Sequence, residues 1–209
     1  MKVTSQPNYP CCTYTEYATI DGVKRPYYVW ASTDLPFAIG GGRSEEEARA
    51  DFQSAVDTEL EVIVDALREG ELDLVRSRLT GNQGWWGRVW FRLTRKPNHI
   101  VTWSRHYDDG ETRVHGVRSK VTYFDGYTKI RNKGGVKPCI ELYVPEFDLH
   151  VQGSTLAEAQ QMAVKAIHAH IDQCLSVAMK GYVNKLKGLF HRGRKPTRKS
   201  GYVKLEVLL

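Results

Sequence analysis

Two long segments of the chain carry apolar residues at the spacing of an α-helix. The first stripe consists of Ala48, Phe52, Ala55, Val56, Ile63 and Leu67. The second stripe consists of Ala159, Ala163, Ala166, Ile167, Cys174 and Ala178. Such a three-to-four-residue repeat predicts, in each segment, an amphipathic helix that packs one face on an apolar core.

Each stripe begins behind the sequence signature of a helix N-terminus. Ser44 and Thr155 are the predicted N-cap residues, because a hydroxyl can accept the amide hydrogen bond three residues later. Glu47 and Glu158 stand at that third position. There, a carboxylate is expected to reach back to the cap amide, which completes a capping box in both segments.

Glycines stand near both ends of the predicted helices. Gly70 and Gly181 follow the two stripes, where a left-handed residue commonly ends a helix, and the second helix is expected to restart over residues 182–190. Three consecutive glycines, residues 40–42, precede the first helix. We expect them to form a sharp turn rather than an anion site, because three acids and no lysine follow them.

Short apolar runs rich in β-formers surround each helix and predict strands. The predicted strands are residues 14–20, 27–31, 37–39 and 88–94 around the first helix, and residues 120–130, 140–144, 149–151 and 202–209 around the second. The unit therefore reads β-β-β-α-β, twice. We expect an α+β fold in which each unit is a small antiparallel sheet with one long helix packed on it.

The two units are related by an internal repeat. Residues 25–70 align with residues 137–181 at an offset of 111–112, and Pro26 then matches Pro138. The predicted boundaries are 1–96 for the first unit and 119–209 for the second. Between them, residues 97–118 are expected to form a connecting hairpin around an Asp-Gly turn.

Each unit resembles the HicB-like antitoxin family. The resemblance is carried by a Pro/Asp-rich turn between two strands, at residues 33–37 and 145–149, and by Ser/Thr-x-x-Glu-Ala at the start of the helix, at residues 44–48 and 155–159. It implies a partly degraded RNase H-like fold and a protein partner, the small ribonuclease toxin HicA. Many members also carry a DNA-binding domain, which we do not expect after the second unit here. Two fused units could mimic the dimer that other members form.

Charge is distributed unevenly along the 209 residues. The chain carries a formal net charge of +6, made up of −6 over residues 1–80, +7 over residues 81–135 and +5 over residues 136–209. A basic balance suits nucleic acid or an acidic partner, but it also serves solubility alone. The sequence has no apolar run long enough for a membrane span and no signal-like N-terminus, so we expect a cytoplasmic protein without membrane contact.

Candidate chemistry is sparse. Cys11, Cys12, Cys139 and Cys174 lack zinc or disulfide spacing and are expected to be free, mostly buried thiols. The predicted strands do not supply the matching carboxylates that a metal-dependent RNase H-like nuclease needs. We therefore expect no catalytic residues, no metal and no cofactor, and we expect that the protein is not an enzyme.

Three surfaces are candidates for binding. A Trp/Arg segment contains Trp85, Trp86, Arg88, Trp90 and Arg92, residue types that are favoured at interfaces and that also stack on bases. The first helix carries acids for a basic partner, namely Glu46, Asp57 and Glu61. A basic connector before the last strand is a candidate nucleic-acid site, with Lys185, Lys187, Arg192, Arg194, Lys195, Arg198 and Lys199. For all three, an ordinary solvated surface is the competing interpretation.

Together these features predict a protein that binds a macromolecule without turnover. The first hypothesis is an antitoxin-like or virus-encoded inhibitor that occludes a protein partner such as a toxin or nuclease effector. The alternative is an RNA- or DNA-binding protein that uses the Trp/Arg segment and the basic connector. Further association into a homo-oligomer stays open in either case.

Overall fold

A computed structural model describes residues 8–20, 22–81, 99–102, 121–131, 139–190, 193–194, 196 and 201–208. Within these residues the fold is a mixed α/β fold with two small antiparallel sheets and four helices. None of the helices in this part of the chain has the length and apolar content that crossing a membrane requires.

The first sheet and its helices come from the N-terminal half of the chain. In chain order the elements are β1 (Asn8–Ile20), β2 (Val23–Ser32), β3 (Ile39–Gly42), α1 (Glu45–Arg68), α2 (Leu72–Thr80) and β4 (His99–Thr102). The strand order in the sheet is β3-β2-β1-β4, with each neighbouring pair antiparallel. Helix α1 packs mainly on β3 and β2, at one end of this order.

The second sheet repeats this arrangement. Its elements are β5 (Val121–Arg131), β6 (Cys139–Val144), a single 3-10 turn (Pro145–Phe147), β7 (Leu149–Gly153), α3 (Leu156–Met179), α4 (Val183–Leu189) and β8 (Gly201–Leu208). The strand order is β7-β6-β5-β8, again antiparallel throughout. First, second, third and last strands therefore occupy the same places in both sheets, which agrees with the repeat in the sequence.

Each unit contains a second, short helix in addition to the long helix of the predicted β-β-β-α-β unit. We predicted one long helix per unit, with a restart only in the second, but α2 follows α1 just as α4 follows α3. We did not predict α2, because a segment of nine residues is too short to show a clear apolar repeat. Its buried residues Leu72, Val75 and Leu79 nevertheless lie on one face.

Both helix starts contain the predicted cap, with one difference. The Ser44 and Thr155 hydroxyls accept from the Glu47 and Glu158 amides at 3.1 and 3.2 Å. The Glu47 carboxylate accepts from the amide of Arg43, and the Glu158 carboxylate accepts from the amide of Ser154, both at 2.8 Å. Arg43 and Ser154 are the residues just before the two caps. The reciprocal bond thus reaches one residue further than the expected cap amide.

The predicted glycine ends are confirmed in both long helices. Gly70 and Gly181 have φ angles of 71° and 70°. In the first, the amides of Gly70 and Glu71 donate to the carbonyls of Leu67 and Ala66; the second unit repeats this pattern. These two bonds define a Schellman motif, which satisfies carbonyls that the helix end would otherwise leave without a partner.

The three consecutive glycines form strand β3 rather than the sharp turn that we predicted. Their role is close packing, because a Cβ on Gly40 would overlap the backbone of Phe52 in α1. A Cβ on Gly42 would lie 2.5 Å from the Ala48 amide nitrogen. The strand therefore lies directly against the helix backbone, where only glycine fits.

The fourth strand of the first sheet lies later in the chain than predicted. We expected residues 88–94 there and assigned residues 97–118 to a connecting hairpin, but the backbone of His99–Thr102 pairs with β1. Residues 88–94 are outside the described part of the chain. The strand His99–Thr102 has only four residues, and its polar and apolar residues do not alternate. A pattern this weak does not predict a strand from the sequence.

Reciprocal contacts join the two units. The Arg76 guanidinium on α2 donates to the Glu146 carbonyl at 3.1 Å, and the Lys187 ammonium on α4 lies 3.9 Å from the Asp34 carboxylate. Arg76 and Lys187 occupy matching repeat positions, as do Asp34 and Glu146. Each unit thus contacts the other with the same two regions, as subunits do in a symmetric dimer.

The interior is shared between the units. Helices α1 and α3 contact each other, and the buried apolar residues of both units form one continuous cluster. The buried Tyr9 hydroxyl donates to the Gly181 carbonyl of the other unit at 2.5 Å. Cys11, Cys12 and Cys174 are buried and Cys139 is partly exposed, and these four described cysteines form no disulfide, as the sequence predicted.

Candidate binding surfaces

The acids of α1 form the first candidate surface. Glu46 and Glu61 are exposed, whereas Asp57 is half-buried. Two other acids on the helix are already engaged, since Asp51 accepts from the Gly41 amide at 2.9 Å and Asp65 pairs with Arg68 at 3.2 Å. Glu46 and Glu61 therefore present the carboxylates that the sequence assigned to a protein partner, and Asp57 contributes less.

The matching helix of the second unit lacks this surface. Helix α1 contains eight acidic and two basic residues, whereas α3 contains two acidic residues, one lysine and two histidines. Both helices have the same length and the same buried register, because Ala48, Phe52 and Val56 correspond to buried residues of α3. The fold alone does not require the charge on α1, since α3 serves the same structural role without it.

The Trp/Arg segment lies outside the described part of the chain. This applies to all five of its candidate residues, Trp85, Trp86, Arg88, Trp90 and Arg92. Their assignment as a binding surface stays a prediction from the sequence.

The basic connector is described only in part. Lys185 is exposed, with its ammonium 4.5 Å from the centre of the Tyr182 ring, and Arg194 is also exposed. Lys187 lies instead between the two units, beside Asp34. The remaining candidates, Arg192, Lys195, Arg198 and Lys199, lie outside the described residues.

A surface that the sequence analysis missed lies on the second sheet, on the face opposite α3. His150 pairs with Tyr143, Tyr143 with Tyr127, and Tyr127 with Tyr202. These four rings, which we call the aromatic row, therefore line up across β7, β6, β5 and β8. The His150 and Tyr143 rings stack with centroids 4.3 Å apart, and the Tyr127 and Tyr202 rings meet edge to face at 6.0 Å.

Hydrogen bonds hold two of these rings in place. The Tyr143 hydroxyl donates to the Asp148 carboxylate at 2.8 Å, and the Tyr202 hydroxyl donates to Asp125 at 2.9 Å. Burial and the hydrogen bond to Asp148 raise the pKa of Tyr143 to about 12. Tyr143 therefore stays protonated at neutral pH and keeps this bond. Tyr202 remains 59% exposed, so much of its ring faces solvent.

Charged side chains surround the aromatic row. Glu141 receives two bonds from Arg131, at 2.6 and 3.0 Å, and lies 3.5 Å from His150. Lys129 is exposed on the same face, and the Lys204 ammonium lies 4.5 Å from the centre of the Tyr123 ring. Glu141 thus has its own partners, as Asp148 and Asp125 do, while lysines extend from the face beside the rings.

A groove between the units lies near one end of this face. Its volume is about 540 Å³, and residues from the start of α2 and from β5 line it, including Gly70, Arg76, Tyr123 and Glu146. Arg76 is engaged with Asp73 and with the Glu146 carbonyl. Among the described residues, no group of three or more His, Cys, Asp or Glu is placed to hold a metal ion.

Comparison with known proteins gives no relative: no family model, no curated protein and no solved structure matches the chain. The HicB-like assignment therefore continues to rest on the short motifs of the sequence.

Proposed function

We propose that this protein is a HicB-like binding protein that inhibits a protein partner by occlusion, without turnover. In this proposal the exposed acids of α1, Glu46 and Glu61, bind a basic protein such as a nuclease effector. The proposal draws on the family resemblance of the two capped helices and on the charge of α1.

The observation that carries the proposal is the charge difference between two equivalent helices. Helix α3 packs on its sheet with the same register as α1 but with two acids in place of eight. Glu47, Asp51, Glu59 and Asp65 have partners within the fold. Folding does not explain the exposed Glu46 and Glu61, and binding gives these two acids a use. Complementary charge at an interface mainly raises the association rate and disfavours wrong partners.

The contacts between the units favour occlusion by a preformed surface. Arg76 and Lys187 hold the two units through matching contacts, and the shared core leaves no separate interior for either unit. A surface that is rigid before binding loses less conformational entropy when the partner docks. Two units in one chain would then supply the symmetric body that related proteins obtain from two chains.

A second candidate function, nucleic-acid binding through the basic connector, has support from charge. The ten residues from His191 to Ser200 contain five lysines or arginines and no acid, and Arg194 is exposed. A segment of this composition contacts phosphates without regard to sequence.

The test of the proposed function is capture followed by kinetics. The immobilised full-length protein is incubated with nuclease-treated lysate of the cells that encode it, and a captured protein is then purified. Wild type is compared with Glu46→Lys, Glu61→Lys and with the charge-matched control Glu16→Lys, Glu206→Lys, which alters exposed acids on the sheets. We expect the α1 variant to associate about tenfold more slowly at low salt, and the control to associate at close to the wild-type rate. Equal rates for the two variants would contradict the proposal.

A further inference from the structure

We propose that the outer face of the second sheet binds single-stranded nucleic acid, with bases stacked on the aromatic row and phosphates held by the basic side chains beside it. This inference goes beyond the occlusion of a protein partner, and it gives the second candidate function, nucleic-acid binding, a specific site and a preference for single strands.

The aromatic row has the geometry of a stacking platform. Its four rings stand on four adjacent strands in direct cross-strand register. Since neighbouring strands lie about 4.8 Å apart, the row extends across roughly 14 Å of the sheet. The His150 and Tyr143 rings cover one face of each other, so the ring surfaces open to a base are those of His150 and Tyr202, at the two ends of the row. Bases of a single strand can stack on such rings, whereas the bases of a duplex are already stacked on one another.

The rings are oriented before any ligand arrives. Tyr143 and Tyr202 are fixed through their hydroxyls by Asp148 and Asp125, and the His150 ring is stacked on Tyr143 at an interplanar angle of 25°. A platform whose side chains are already ordered loses little rotamer entropy on binding. Tyr202 and His150 are also exposed, so a base can reach them.

The face around the row carries charges of both signs. Asp125, Asp148 and Glu141 already accept hydrogen bonds from Tyr202, Tyr143 and Arg131, and Glu206 is exposed. Basic side chains beside the row could meet a phosphate. Lys129 and Arg194 are exposed, and Lys204 extends over Tyr123. Two described residues, Gly193 and Gly201, lie against this sheet: the Gly193 amide donates to the Pro145 carbonyl at 2.7 Å, and Gly201 pairs with Thr128. A Cβ on Gly193 would overlap the Tyr143 hydroxyl, which places Gly193, the neighbour of Arg194, directly beside the row.

The fold does not require these aromatic residues. In the first sheet, the positions that match His150, Tyr143 and Tyr127 are held by Ile39, Ala31 and Cys12, which pair with one another in the same register. The first sheet thus forms without rings at these positions. Cross-strand aromatic pairs do stabilise sheets, so the experiment must separate stability from binding.

The binding experiment uses the full chain and fluorescence anisotropy. The probes are labelled oligouridine and oligothymidine of about 16 nucleotides and a duplex of similar length, each titrated at two salt concentrations. We expect both single strands to bind more tightly than the duplex. Tyr202→Leu and His150→Ala should each weaken binding by about fivefold or more at both salt concentrations, because each removes a stacking surface. Tyr202→Phe keeps the ring but loses the bond to Asp125, so it should weaken binding much less than Tyr202→Leu does.

A matched control comes from the first sheet. Tyr17 is 68% exposed and has the Lys24 ammonium 5.5 Å from its ring centre, so Tyr17→Leu removes a similar exposed ring from a different face. It should leave affinity unchanged. Arg194→Glu should lower affinity and reduce the dependence on salt, because one phosphate contact is lost. Unfolding midpoints in urea identify any variant whose fold is damaged.

Three results would overturn the inference. The first is that wild type binds neither single strand at low salt. The second is that the duplex binds as tightly as the single strands. The third is that Tyr202→Leu and His150→Ala change the unfolding midpoint but bind like Tyr17→Leu, which would assign the row to stability alone.

Discussion

Replacing Gly42 or its repeat partner Gly153 by alanine should destabilise the protein to a similar degree. Gly42 lies at the end of β3, and a Cβ there would stand 2.5 Å from the Ala48 amide nitrogen; the same distance separates a Cβ on Gly153 from the Ala159 amide nitrogen. Both opposing atoms belong to the backbone at a helix start, where no side chain can rotate away.

The size of the effect follows from these distances. Carbon and nitrogen atoms in ordinary contact are about 3.5 Å apart, so the helix start must move away from the strand by about 1 Å. Overpacking of a core typically costs 1–3 kcal/mol, and a backbone obstacle places these two sites near about 3 kcal/mol. That is a large part of the roughly 5–15 kcal/mol that stabilises a folded domain.

The assay is urea unfolding of the full chain, followed by far-ultraviolet circular dichroism. Gly188→Ala is the matched control, because a Cβ at this position in α4 meets nothing within 4 Å. Alanine is the better helix former, so this variant should be as stable as wild type or more stable by about 0.5 kcal/mol. If Gly42→Ala and Gly153→Ala unfold at the midpoint of Gly188→Ala, then the close approach of strand and helix is wrong.

Three further predictions concern the caps, a buried acid and the thiols. Ser44→Ala and Thr155→Ala should each lower the free energy of unfolding by about 1 kcal/mol in the same urea assay, because each leaves a helix amide without its acceptor. Burial raises the pKa of Glu59, so its contribution to stability is lost as pH rises through that pKa. Gln does not ionise and lacks this loss. The free energy of unfolding of Glu59→Gln minus that of wild type should therefore increase from pH 4 to pH 7, as urea midpoints at both pH values would show. Burial raises the pKa of Cys174 to about 12, so mass spectrometry should find Cys139 alkylated well before Cys174 in the folded protein.

The parts of the fold that depend on local sequence were predictable. The caps at Ser44 and Thr155 and the helix ends at Gly70 and Gly181 are set by a few neighbouring residues, and the structure contains all four. The repeat also follows the sequence, since both sheets have the same strand order. The HicB-like assignment itself stays a prediction.

The glycine strand was not predictable from local pattern. Glycine is typical of turns, and only the distance between β3 and α1 shows why residues 40–42 are glycines. The second unit solves the same packing problem differently: Val151 stands at the position of Gly40, and Ala163 at the position of Phe52. The large residue has moved from the helix to the strand, so the two segments share geometry without sharing composition.

The aromatic row also escaped prediction, for reasons of register. Alternation within single strands can place Tyr127 or Tyr143 on an outer face, but it cannot align residues as far apart in the chain as Tyr127 and Tyr202. That alignment depends on the pairing of β5 with β8. One signal in the sequence could have found it. In each of the four predicted strands, alternation places an aromatic residue on the face that points away from the core.

The central claim is that two units of the same topology carry different binding surfaces. The most direct test is the oligonucleotide Kd of the Glu46→Lys, Glu61→Lys variant, measured near physiological salt beside its rate of association with the captured protein partner. Glu46 and Glu61 lie on α1 and not on the second sheet that carries the aromatic row, and salt screens exposed charges under these conditions. We therefore expect a Kd within about twofold of wild type and a slower association with the protein partner. A variant that changes both quantities together, or neither of them, would contradict the claim.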